Sequence, residues 1–254
     1  MRTLTRIETR FGEILILEDV ATGARRYYEG TAFQSHAAAD GESCFVYVHI
    51  MCALLRRKRR VLLLGCGGGS LATMASRRGA EVTVVDHNPH SFAVARDYFG
   101  LPPSVRCVTA DFRDFLAAEH PPYDAIGVDV GSTTFDFQKE LNAVACGAIR
   151  AVLKPDGVAV VNMMIAHDLD PTADLIAAAM AGNDRKAWIF DQPGEIERNA
   201  VVAVGPTRRP HLSPNVFPED LRAEFATWSV REARDRRTAT TGRSTVSLAE
   251  DRGA

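Results

Sequence analysis

An apolar run, Val61-Leu62-Leu63-Leu64, leads straight into Gly65-Cys66-Gly67-Gly68-Gly69. A second run, Val82-Thr83-Val84-Val85, closes on Asp86 about twenty residues later. Few folds accommodate that order. The first run ends as a strand where the chain turns on glycine, and glycine lets backbone approach a ligand where a Cβ would clash. The second ends in a carboxylate placed to accept hydrogen bonds from two ribose hydroxyls, although a solvated acid at a strand end is the plainer alternative. Strand, glycine turn and acid-terminated strand together make half of a nucleoside site. They narrow the ligand to a dinucleotide or to a sulfonium nucleoside of the S-adenosylmethionine kind.

The spacing favours the second. Dinucleotide folds use G-x-G-x-x-G, whereas Gly65, Gly67 and Gly69 alternate and are followed by Ser70, a tighter pattern. Two more acids sit at strand ends. Asp111, within Thr109-Ala110-Asp111-Phe112, can accept from an adenine amine with Phe112 packed on the ring; it can also cap the helix that follows. Asp129 closes Ile126-Gly127-Val128 and faces the position of a sulfonium carbon, where it can take a proton from an amine or attract a cation. The expected nucleoside contacts are thus Gly65, Gly67, Gly68, Gly69, Asp86, Asp111 and Phe112, with Asp129 catalytic.

Around these residues the chain alternates strand and helix. Strands are expected at Val61–Leu64, Val82–Val85, Val105–Val108, Ala125–Val128 and Val158–Met163. Helices are expected at Leu71–Arg78, Pro89–Phe99, Arg113–Ala118, Lys139–Leu153 and Pro171–Met180, the longest stopped by Pro155-Asp156-Gly157. Ala187–Phe190 and Ala200–Val204 read as a closing antiparallel pair, and Pro218–Phe225 as a further helix. Such alternation predicts an α/β fold with a mostly parallel sheet covered on both faces, Rossmann-like, and ligands at the carboxyl ends of the strands. Residues 1–55 read as a small β module with a lead-in helix from Phe45, 56–230 as the nucleoside-binding domain, and 231–254 as a disordered tail poor in apolar residues.

The 254 residues suffice for one such domain and a small module. A formal charge of −2 gives no broad pull toward nucleic acid or a membrane surface. The run Arg56–Arg60 stands alone without interleaved aromatics, so it reads as a solvated helix end rather than an anion site. Five scattered cysteines without a CxxC pair point to reduced thiols, no zinc, and a cytoplasmic location. No leader-like or membrane-spanning apolar run is present.

The chain resembles the spermidine synthases and their relatives, the polyamine aminopropyltransferases, from about Leu15 to Val204. Val61–Gly69, Asp86-His87-Asn88-Pro89, Ala110-Asp111 and Asp129 echo that family's glycine loop, ribose acid, adenine acid and catalytic aspartate. Gln34-Ser35 and Phe45-Val46-Tyr47 echo its N-terminal glutamine and tyrosine segments. The resemblance implies attack on a carbon next to sulfur, a homodimer, and roles for Gln34 and Tyr47 in closing over nucleoside and substrate. The departures are equally specific. Gly68 stands where those enzymes carry an aspartate facing the amine of decarboxylated S-adenosylmethionine. An acid there repels the carboxylate of the intact nucleoside by roughly 4 kcal/mol, at about 4 Å and an effective dielectric of about 20. Gly68 removes that barrier and offers its backbone N–H. Asp129-Val130-Gly131-Ser132-Thr133 lacks the second acid that grips a polyamine, and Val48 and His49 replace a histidine and a glutamate. His49 reads as structural before catalytic, and Tyr27 and Tyr28 as hairpin packing. Methyl transfer from intact S-adenosylmethionine to a small-molecule amine or hydroxyl is therefore the expected activity. Aminopropyl transfer from the decarboxylated form and a non-catalytic homologue are the alternatives.

Overall fold

A computed structural model describes residues 1–131, 135–205 and 207–234. Its first four strands, β1 (Arg2–Thr9), β2 (Gly12–Glu18), β3 (Arg25–Glu29) and β4 (Ala32–Ala37), form an antiparallel sheet in chain order. Ile14 and Ile16 alternate inward with Tyr27 and Ala37, as period-two patterning dictates. After α1 (Val46–Leu54) come β5 (Arg60–Leu64), α2 (Ser70–Arg77), β6 (Glu81–Asp86), α3 (Pro89–Phe99), β7 (Arg106–Thr109), α4 (Phe112–Ala117) and β8 (Tyr123–Val128). The chain continues through α5 (Phe137–Glu140), α6 (Ala143–Ala151), β9 (Leu153–Ile165), α7 (Thr172–Ala181), β10 (Ala187–Asp191), β11 (Arg198–Val204), α8 (Arg222–Phe225) and β12 (Ser229–Glu232). The main sheet has the order β12-β10-β11-β9-β8-β5-β6-β7. Its β9-β8-β5-β6-β7 half is parallel, and β11, β10 and β12 join it antiparallel.

Both faces of this sheet are covered, which is why its strands are near-continuous apolar runs. Leu62 and Leu64 pack toward α4, α6 and α7 in one core. Val61 and Leu63 pack toward α1, α2 and α3 in the other. The small sheet docks on the second side, where Ile14, Ile16 and Tyr27 meet Val94 and Phe99 of α3. That docking lays β4 over the glycine turn after β5. The order reverses between β5 and β8, and the crevice opens at the carboxyl ends there.

Four local expectations change. The helix expected over Lys139–Leu153 is broken into α5 and α6, because Asn142 caps α6 by accepting from the Val144 and Ala145 N–H groups at 2.9 and 3.2 Å. Pro155-Asp156-Gly157 lies within β9, whose pairing begins at Leu153 opposite Tyr123. Between Pro218 and Phe225 the chain makes a 3-10 turn and then the single turn α8. Arg231 and Glu232, the first residues of the expected tail, extend β12 along β10, and Arg231 donates two 2.8 Å hydrogen bonds to Asp174; 235–254 lie outside the described residues. The basic run follows the end of α1, with Arg59 paired to Glu81 at 3.2 Å. Among the described residues no helix is long and apolar enough to cross a membrane.

Candidate active site

Two chambers meet at the carboxyl ends of β5, β6 and β8. The first, about 200 Å³, is lined by Gly65, Gly67, Asp86, Asp111, Phe112 and Asp129. The second, about 410 Å³, includes Tyr47 and Asn162 in its wall. Gln34, Gly67 and Asp129 line both, so the two adjoin, with Asp129 in their shared wall.

Gly65 takes φ +93°, and a Cβ there would stand 2.1 Å from the Asp129 carbonyl oxygen. The turn after β5 thus has to be glycine for the end of β8 to close against it. Gly65→Ala is expected to lower the melting temperature by at least about 5 °C, since such strain is worth about 1–3 kcal/mol before the clash is counted. Gly131→Ala is the control, because among the described residues beyond its chain neighbours the nearest atom to its Cβ is Phe137 Cζ at 3.9 Å. Equal melting temperatures for the two variants would refute this account.

Asp86 holds the turn from the other side. One carboxylate oxygen accepts from the Cys66 N–H and the other from the Asn88 N–H, both at 2.8 Å. Burial pushes its carboxyl above the usual range, and the two N–H bonds pull it partly back. Asn88 caps α3 through the His90 N–H, and its side-chain amide donates to Glu29 of β3 at 2.5 Å. Glu29 therefore joins the same cavity wall from the small sheet.

The four glycines divide. Gly65 and Gly67 line the crevice, while Gly68 and Gly69 fall outside its lining. Gly68 donates its N–H to Ser35 Oγ at 2.8 Å, so the backbone donor expected for the ligand is already engaged by β4. A Cβ at Gly68 would lie 3.0 Å from Ser35 Cβ and 3.1 Å from Phe99, so the docked sheet leaves no easy space for a side chain there. Gly69 starts α2 at φ +75°.

Asp111 caps α4 by accepting from the Arg113 N–H at 2.8 Å, and it also faces the cavity. Its carboxylate pairs with the Arg113 guanidinium at 3.3 Å, and Arg113 pairs in turn with Glu140 of α5. Arg113 lies over the Phe112 ring at 4.6 Å from its centroid. Phe112 is mostly core, with 9% exposure, and shows only an edge to the cavity.

Asp129 is half-buried and accepts from Asn162 Nδ2 at 2.9 Å. Burial raises its carboxyl above the ordinary range, and the Asn162 bond offsets only part of that. Tyr47, on α1, is buried, and its phenol is pushed well above its normal value by burial first and by the Asp129 charge second. It therefore stays protonated and able to donate. Gln34 Nε2 reaches the Gly131 carbonyl at 3.4 Å, tying β4 to the loop after β8. His49 is placed away from both chambers, 2% exposed, with Nε2 against the Ser43 carbonyl at 2.7 Å. Tyr27 is fully buried in the small sheet, and Tyr28 stacks on Phe33 at 4.8 Å.

Sequence reasoning passed over Glu29, Arg113 and Asn162. Asn162 carried a signal: an amide in the otherwise apolar run Val158–Ile165 has to find a buried partner. Glu29 and Arg113 carried none, since charged residues at strand and helix ends are common on any surface.

The family described as a methyltransferase domain matches residues 61–157. The ubiquinone biosynthesis O-methyltransferase of Xylella fastidiosa is 42% identical over 72 residues, 26% of this chain and 28% of that protein. A probable polyamine aminopropyl transferase of Bifidobacterium longum is 33% identical over 119 residues, 46% of this chain and 26% of that protein. Each match thus spans little more than a quarter of the curated relative's length. The solved structure of a probable spermidine synthase from Corynebacterium glutamicum aligns with a TM-score of 0.73 at 17% identity, covering 99% of this chain and 100% of that one. A spermidine synthase in complex with the transition state analogue AdoDATO aligns with a TM-score of 0.63 at 16% identity, over 88% of this chain and 79% of that one.

Proposed function

From a chain with the spermidine synthase-like, class I adenosylmethionine-dependent fold and a methyltransferase domain over residues 61–157, we propose a transferase that moves the methyl group of intact S-adenosylmethionine to a small-molecule amine or hydroxyl. The observation that carries this is the crevice itself: Asp129 stands in the shared wall of a nucleoside-type chamber and a second, acceptor-sized one. The residues present fit the nucleoside. Gly65 and Gly67 line the first chamber with bare backbone, and Asp86 presents a carboxylate whose orientation two N–H groups fix.

Bound there, a sulfonium nucleoside supplies an electrophilic carbon on sulfur. Asp86 accepts the ribose hydroxyls, and Asp111 lies toward the base. Asp129, with its carboxyl raised, accepts the proton of the incoming nucleophile. With that nucleoside bound, its sulfur would be the leaving group for displacement at carbon, and Asp129 would hold the proton given up by the nucleophile. Alignment at about 3–3.5 Å supplies much of the rate. Intact rather than decarboxylated nucleoside is supported by a glycine turn that carries no acid to repel a carboxylate: position 68 is glycine, lies outside the crevice lining, and is crowded by Ser35 and Phe99.

Aminopropyl transfer is the second reading, favoured by the aligned segment shared with the Bifidobacterium relative. Calorimetric titration with both nucleosides separates them. Intact S-adenosylmethionine is expected to bind at least tenfold tighter; tighter binding of the decarboxylated form would overturn the methyl reading. The nucleoside product gives the same decision by mass: S-adenosylhomocysteine for methyl transfer, methylthioadenosine for aminopropyl transfer.

A further inference from the structure

The acceptor chamber carries one charge and a strip of rings. Phe33, Phe45 and Tyr47 follow one another along its wall, Phe33 edge-on to Phe45 at 5.4 Å and Phe45 stacked on Tyr47 at 5.6 Å. The strip runs from the surface, where Phe33 is 44% exposed, inward to Tyr47 at 9%. Met164, 46% exposed, also lines the chamber. Large apolar side chains left this open gain by being covered. Among the described lining residues Asp129 is the one carboxylate, and Lys, Arg and His are absent.

Asn162 adds a second demand. Its Nδ2 is given to Asp129, and its Oδ1 is buried without a donor. Beside the carboxylate the chamber wall therefore holds a further unmet acceptor, covered until the Asn162 side chain turns toward a donor. An ammonium presents three N–H donors and can serve both, whereas a hydroxyl presents one. A second ammonium at the far end of a diamine would meet phenyl rings and no anion among the described lining residues, so it gains no ion pair there.

Building on the transferase reading, we propose that the acceptor is a primary monoamine with an apolar, ring-sized body. Its nitrogen sits at Asp129 and Asn162, and its body lies along Phe45 and Phe33. The test is calorimetric and needs no turnover. 2-Phenylethylamine, 2-phenylethanol and 1,4-diaminobutane are titrated into the full chain, each with and without S-adenosylhomocysteine. The monoamine is expected to bind at least tenfold tighter than either of the others. Phe33→Ala, at an exposed position, is expected to weaken the monoamine about threefold to tenfold and leave the diamine unchanged. Equal or tighter binding of the diamine or the alcohol, or no binding of the monoamine at millimolar concentration, would overturn the assignment. Failure of the transferase reading looks different: the affinity order holds, yet S-adenosylmethionine with the monoamine yields no S-adenosylhomocysteine.

Discussion

Asp129→Asn is expected to cut turnover by about 10²- to 10⁴-fold, the range for loss of a positioned general base, with nucleoside affinity nearly unchanged. Asparagine keeps the size and the carbonyl that accepts from Asn162, but it cannot take a proton. The pH profile sharpens the test. Burial holds the Asp129 carboxyl above the ordinary range, so wild-type turnover should rise as pH climbs through that raised value, and the variant should lose this acid limb. The same shift has a sign for stability. A carboxyl raised in the folded state favours folding below its unfolded value and loses that contribution as pH rises through the folded value. Above it, the ionised group is a burden that asparagine removes. The variant should therefore melt higher than the wild type near neutral pH, with the gain vanishing in acid. Wild-type turnover in Asp129→Asn would end its role as base, and an unchanged acid limb would place that titration on another group.

Asp86→Ala is expected to weaken nucleoside binding by about 100-fold or more. Hydrogen bonds to a charged acceptor contribute about 1.5–3 kcal/mol each, and two ribose hydroxyls depend on this one. The variant also leaves the Cys66 and Asn88 N–H groups without their acceptor, so its melting curve has to be measured beside the titration. Asp86→Asn retains one acceptor oxygen and should keep the fold while still losing most of the affinity. Equal loss of nucleoside binding in Asp86→Ala and Asp129→Ala would undo the division of roles between the two acids.

Much of the crevice was legible before any coordinate. Gly65, Asp86 and Asp129 each end a strand or begin a turn, and the apolar runs that precede them fix where those strands stop. Phe112 and Gly68 show what such reading leaves out. Phe112 follows a strand and a cap in the right order, yet it also falls on the buried face of α4, and the core claims most of the ring. The Gly68 N–H, expected to face the ligand, donates to Ser35, a partner distant in sequence. The break at Asn142 went unseen because its neighbours on both sides suit a helix, and a cap competes with helix interior only through one side-chain oxygen.

Local pattern by itself determined the alternating strands and helices, the glycine turn and the acids at three strand ends, because each is set by periodicity, backbone freedom and position within a few residues. Only the tertiary structure decided that β4 lies over the turn, that Ser35 takes the Gly68 N–H, that Asn162 braces Asp129, and that aromatic side chains from β4 and the start of α1 wall the larger chamber. Those pairings join residues far apart in the chain. They follow from which apolar faces dock, here Ile14, Ile16 and Tyr27 on Phe99, and no spacing along the sequence encodes that choice.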